Sequence, residues 1–126
     1  MTIHFDQTKP IYLQVAQMIR DSVISGDLPE DSSIPSVRRI SVDQGLNPQT
    51  VLNATHALVD EGILEKRRGV GIFVKRGARE LLRQRELNQL QQHEVPEMVT
   101  RARLLGLTVK ETVQLVRDNF KEQANG

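Results

Sequence analysis

The chain has 126 residues, 38% apolar and 26% charged, enough for one modest core or a small domain with an appendage. Seventeen Lys and Arg against sixteen Asp and Glu leave a net charge of +1, so total charge singles out no partner. Zero cysteines exclude disulfides, thiolate metal sites and cysteine nucleophiles; no run approaches the roughly 18 apolar residues of a membrane span, and no signal-peptide pattern is present, so a cytoplasmic location is expected.

After an arm over residues 1–9, Pro10 opens a helical pattern with Ile11, Val15, Met18, Ile19, Ser22 and Val23 on one stripe, and Gly26 ends it. Residues 27–35, DLPEDSSIP, read as a polar turn. A second, shorter helix is expected from Val37 to Gln44, with Val37 and Ile40 inward and Gly45 as its stop. The third runs over about 48–61. Asn47 can cap it with its side-chain oxygen, and Pro48 suits the first position, where a missing N–H costs nothing. Val51, Ala54 and Leu58 form its core stripe, and Gly62 stops it. Two β-prone runs, Ile63–Arg67 and Ile72–Lys75, flank the Gly-containing link Arg68–Gly71 and predict a hairpin.

Beyond Gly77 the chain is helical from about Arg79 to Leu105, and Pro96 either kinks this stretch or divides it. Thr108 and Glu111 form a capping box that opens a last helix. The apolar positions Leu87, Leu90, Val95, Met98, Val99, Ala102, Leu105, Val109, Val113, Val116 and Phe120 fall in one-sided stripes that so short a segment cannot cover by itself. A second copy of the chain is the simplest cover, so these residues are assigned to a homodimer interface. The fold class expected is mainly α with a small β-hairpin: a winged helix-turn-helix domain over 1–77, arm included, followed by a helical dimerisation or effector tail over 78–126.

Two helices joined by a tight turn, the second starting with exposed hydrogen-bonding side chains, suit the DNA major groove. Gln49 and Thr50 lie on the first turn of that helix; Leu52 and Asn53 lie on its outer side, off the core stripe. Local charge agrees where net charge is silent. From Lys66 to Arg85 there are eight Lys or Arg and one acid, Glu80, while Arg38 and Arg39 add two cations beside the recognition helix. Acids gather elsewhere, at Asp27, Glu30, Asp31, Asp60 and Glu61.

Residues 10–74 carry PIY, GDL, IPSVR, NPQTV, L-x-x-EGI and RRG-x-G-x-FV in that order, and the segment resembles the DNA-binding domain of GntR-family bacterial transcription regulators. The short tail and the NP-x-TV motif are similar to the YtrA-like subfamily, whose tails form dimers. The resemblance implies that Ser36 and Arg38 contact the DNA backbone and nearby bases. It places Asn47, Gln49 and Thr50 at the start of the recognition helix and takes Arg68 and Gly69, in a wing over 66–71, into the minor groove. Arg39 stands where relatives usually carry Glu, losing a capping box with Ser36 but adding a cation. Asn53 and Thr55 replace a common Arg and Tyr, and Val70 replaces a frequent polar or basic wing residue.

The expected function is therefore a sequence-specific regulator, a repressor, binding an inverted-repeat operator in double-stranded DNA as a homodimer. No cofactor or metal is called for, and no small-molecule effector is legible in the tail. An enzyme is excluded: His4, His56 and His93 are isolated, and no nucleophile–base pair or phosphate loop is present. One Tyr and three Phe, the latter assigned to core positions, offer no stacking platform for single strands. The alternative is a winged helix used for protein–protein contact without DNA, against which the basic wing tip RRG argues.

Overall fold

A computed structural model of the protein describes residues 5–125. Three helices, α1 (Ile11–Ser25), α2 (Val37–Gln44) and α3 (Pro48–Asp60), precede an antiparallel hairpin of β1 (Leu64–Arg67) and β2 (Gly71–Val74). Then come α4 (Ala78–Gln89), a π-turn over Leu90–Glu94, α5 (Val95–Leu104) and α6 (Val109–Asn125). The expected α fold with a small hairpin is what forms. Of the residues discussed from the sequence, His4 and the first four positions of the arm lie outside the described residues.

Local chemistry explains the helix limits. Ser36 Oγ accepts from the Arg39 N–H at 3.1 Å and Asn47 Oδ1 from the Gln49 N–H at 2.8 Å, so both short helices start on a side-chain cap. Gly45 stops α2 at φ +66, a left-handed conformation open to glycine, and its N–H returns to the carbonyls of Ser41 and Val42. The described part of the arm, residues 5–9, is tied down: Gln14 Oε1 accepts from the Asp6 N–H at 2.7 Å, and Phe5 packs against the core.

That core is made by one stripe from each element. Val15, Ile19 and Val23 of α1 meet Ile40 of α2, Val51, Ala54 and Leu58 of α3, and Ile63, Leu64 and Val74 around the hairpin. Arg20 Nη2 reaches Glu61 Oε2 at 2.6 Å and ties α1 to the end of α3. The hairpin register pairs Leu64 with Val74 and Arg67 with Gly71. Residues 31–34, expected as plain turn, add a short third edge: Ser33 bridges Phe73, and the Ile34 N–H donates to Ile72 O at 2.9 Å.

The chain packs as two compact units that divide after Gln84. Ala78 and Leu82, placed in the tail by sequence, are 1% exposed and belong to the first core. The first turns of α4 carry an apolar pair spaced i, i+4, which that core absorbs. The α-helical ladder is interrupted before Pro96, where a π-turn separates α4 from α5. Proline lacks an N–H and its ring crowds the carbonyl four residues back, so the ladder widens just before it into a π-turn, with the Val95 N–H reaching Leu90 O. Thr108 and Glu111 form the expected capping box, their reciprocal bonds 3.1 and 3.0 Å long.

Candidate nucleic-acid interface

Helix α3 is sharply two-sided. Val51, Ala54 and Leu58 are sealed in the core, while Gln49, Asn53 and His56 are exposed at i, i+4 and i+7 spacing on the opposite stripe. Gln49 Nε2 donates to Asn53 Oδ1 at 2.9 Å, so the two amides stand as a pre-aligned pair. Thr50 and Leu52 are half-buried at its flanks, and Asn47 is exposed at the cap. Thr55 behaves otherwise than its place among the departures from the family suggests. It is fully buried, its hydroxyl donates to Leu52 O at 2.9 Å, and it cannot reach a ligand on the outer face. On α2, Ser36, Arg38 and Arg39 are all exposed, and Arg39 shares a 3.4 Å ion pair with Asp43.

The wing is closed by a four-residue turn in which the Val70 N–H donates to Arg67 O at 2.9 Å. Gly69 takes φ +75 there, which a side chain would resist, and so lets Arg68 stand at the tip. Among the described residues Arg68 pairs with no carboxylate. Arg67 is engaged: it meets Glu65 at 2.7 Å, Asp31 at 3.1 Å, and lies 4.0 Å over the Phe73 ring. Arg76 also binds Asp31, at 2.9 Å. The basic run Lys66–Arg85 is thus partly neutralised by an acid 36 and 45 residues away in sequence, which charge counting along the chain had set apart from it. The arginines hold the Asp31 carboxyl below the ordinary carboxylate range, the hydrogen bond from Arg76 contributing most.

Residues 11–74 match the family described as bacterial regulatory proteins, gntR family. The chain belongs to the GntR family. It is 33% identical over 118 residues to the HTH-type transcriptional regulator YhcF of Bacillus subtilis, covering 93% of this chain and 95% of that one. It is 25% identical over 109 residues to the HTH-type transcriptional repressor YtrA of the same organism, covering 86% and 83%, which agrees with a YtrA-like assignment. Among solved structures, a GntR family transcriptional regulator from Listeria monocytogenes superposes with a TM-score of 0.78 at 26% identity, covering 90% of this chain and 98% of the other. AraR(DBD) in complex with operator ORR3 matches 59% of this chain and 89% of its own at 27% identity, with a TM-score of 0.52. This is a family of regulators, so the GntR chain is not an enzyme.

The GntR protein's second unit differs in kind. Of the positions assigned to an interface, Ala102 is buried at 7% exposure, whereas Leu87, Leu90, Val95, Met98, Val99, Leu105, Val109, Val113, Val116 and Phe120 are exposed. Leu104 and Leu115 are exposed as well, though off the stripes picked from sequence. A groove of about 500 Å³ runs along α5 and α6, floored by Ala102 and walled by Met98, Val99, Val113 and Val116. Phe120, on the apolar stripe of α6, is 78% exposed. Sequence reading missed the Asp31 cluster, and nothing in DSS marks an aspartate that will turn left-handed and meet two arginines.

Proposed function

We propose that this DNA-binding GntR-family regulator acts as a homodimeric repressor, each copy setting the start of α3 in a major groove and the Arg68–Gly69 wing tip in the adjacent minor groove. The observation that carries this reading is the Gln49–Asn53 amide pair, exposed at the capped start of a helix whose other side is fully buried. Amide side chains of this kind match an adenine edge, and the positive end of the helix dipole favours a nearby phosphate. Asn47, Thr50, Leu52 and Asn53 complete the reading surface; Ser36, Arg38 and Arg39 take backbone phosphates. A relative named as a repressor and a structural neighbour solved on its operator support the same reading.

Residues 1–77 carry DNA binding and 78–126 dimerisation, with Ala78 and Leu82 lent to the first core. Two-fold pairing implies an inverted repeat with half-sites about one helical turn apart, and a dimer seated on it blocks a promoter. A cytoplasmic location follows from that task; among the described residues no helix is long and apolar enough to cross a membrane.

The test is a mobility-shift titration against the duplex upstream of the protein's own gene, run at two salt concentrations. Phosphate contacts predict a steep loss of affinity with salt. Binding that ignores salt, or no binding, favours the protein-contact alternative. Arg68→Ala should weaken binding by more than about threefold at moderate salt, since one phosphate contact is lost; a smaller fall removes the wing from the interface.

A further inference from the structure

Beside the wing, one carboxylate holds two arginines. Asp31 Oδ1 accepts from Arg67 Nη2 at 3.1 Å, and Asp31 Oδ2 from Arg76 Nε and Nη2 at 3.0 and 2.9 Å. Two guanidinium groups converging on one anion is the arrangement a phosphate would also take. The backbone at Asp31 is unusual, since φ is +62, left-handed, and no other non-glycine residue among the described ones has a positive φ. That conformation carries a cost on the order of 1 kcal/mol for a residue with a Cβ. Its backbone N–H bond to Val74 O, 2.8 Å long, could be made by glycine at no such cost. What the side chain adds is charge.

We propose that Asp31 is an affinity-limiting residue that occupies Arg67 and Arg76 and so keeps them from DNA phosphates. The inference rests on the wing lying against DNA. The cluster is open to water, with Arg76 84% and Asp31 42% exposed, so its ion pairs are exchangeable rather than structural. The two arginines are not equally held. Arg67 keeps Glu65 and the Phe73 ring if Asp31 is neutralised, whereas Arg76 has no other partner among the described residues. Arg76 is therefore the cation that Asp31 chiefly withholds. With both engaged, the cations over 66–76 that have no carboxylate partner among the described residues are Lys66, Arg68 and Lys75. For a regulator the consequence is selectivity in the cell, because every added phosphate contact raises affinity for the vast excess of non-operator DNA.

Asp31→Asn is the test, since asparagine keeps the shape and tolerates the left-handed backbone while removing the charge. Binding of the full chain to a random-sequence duplex of about 30 base pairs is measured across a salt series. The expected result is a log–log salt slope steeper by about one and affinity raised roughly fivefold at about 0.1 M salt, as one further neutralised phosphate requires. Asp31→Asn with Arg76→Gln should return the slope to the wild-type value. Asp31→Gly, which also frees the backbone, should reproduce the tighter binding. An unchanged slope, or weaker binding in a variant whose circular dichroism is native, overturns the proposal and makes Asp31 a prop for the wing. A wild-type protein that binds no duplex in a salt-dependent way overturns the wing assignment, and this inference with it.

Discussion

The two units solve the problem of apolar surface in opposite ways. In the first, α1, α2, α3, the hairpin and the start of α4 close fifteen buried apolar residues into one cluster. In the second, Ala102 alone among the described apolar residues is buried, and α6 has no buried residue at all. Both regions are made of one-sided helices, so helix formation does not separate them. What separates them is whether each stripe finds another within the same chain. An open apolar stripe suits association, and the contrast is the ground for the proposed division into a DNA-binding unit and a dimerising tail.

The strongest challenge to that contrast is truncation of an apolar side chain in each unit. Leu58→Ala removes a side chain with no exposed surface and should cost about 2–5 kcal/mol of unfolding free energy, whatever the protein concentration. Phe120→Ala should leave the first unit's stability unchanged and alter self-association alone. Equal losses in denaturant unfolding would mean that the units are not distinct.

Next in size is the dimer. Val99→Glu puts a charge beside the apolar groove of α5 and α6. It should turn the protein monomeric by light scattering at micromolar concentration and reduce operator affinity on the order of a hundredfold, the loss of bivalent engagement. A dimer that survives would place the partner contact elsewhere. Gln49→Ala addresses the other unit. It removes one member of the Gln49–Asn53 pair and should relax preference at one base position by roughly 1–3 kcal/mol in a randomised-site selection, with the salt slope unchanged.

How far these sites were legible in sequence follows the same division. Caps and stops act within four residues, so Ser36, Gly45, Asn47 and the Thr108–Glu111 box could be placed without coordinates. The outward stripe of α3 follows from helical periodicity once Val51, Ala54 and Leu58 are taken as core. Contacts across long stretches of chain were not legible. Asp31 reads as one more polar turn residue, and only the fold brings it to Arg67 and Arg76. Thr55 next to an outward Asn53 looks available until the helix is seated and its hydroxyl turns to Leu52 O. Pro96 announced an interruption, but the π-turn that absorbs it depends on how the ladder relaxes around Leu90–Glu94.

The smallest expected effect concerns how firmly the open stripe is presented. Helix α6 starts on the capping box, in which Thr108 Oγ1 accepts from the Glu111 N–H and Glu111 Oε1 accepts from the Thr108 N–H. Thr108→Ala should cost about 0.5–1 kcal/mol of helix stability, seen as earlier melting of tail helicity. The hydrogen bonds from Thr108 hold the Glu111 carboxyl below its ordinary value. A depressed pKa in the folded state means stability that is complete above the unfolded-state value and fades as pH falls through the folded one. Tail helicity and dimer stability should therefore hold at neutral pH and drop in acid below the usual glutamate range, and Glu111→Gln should flatten that acid limb. If the limb persists unchanged in Glu111→Gln, other carboxylates govern it and the capping box does not steady the apolar face of α6.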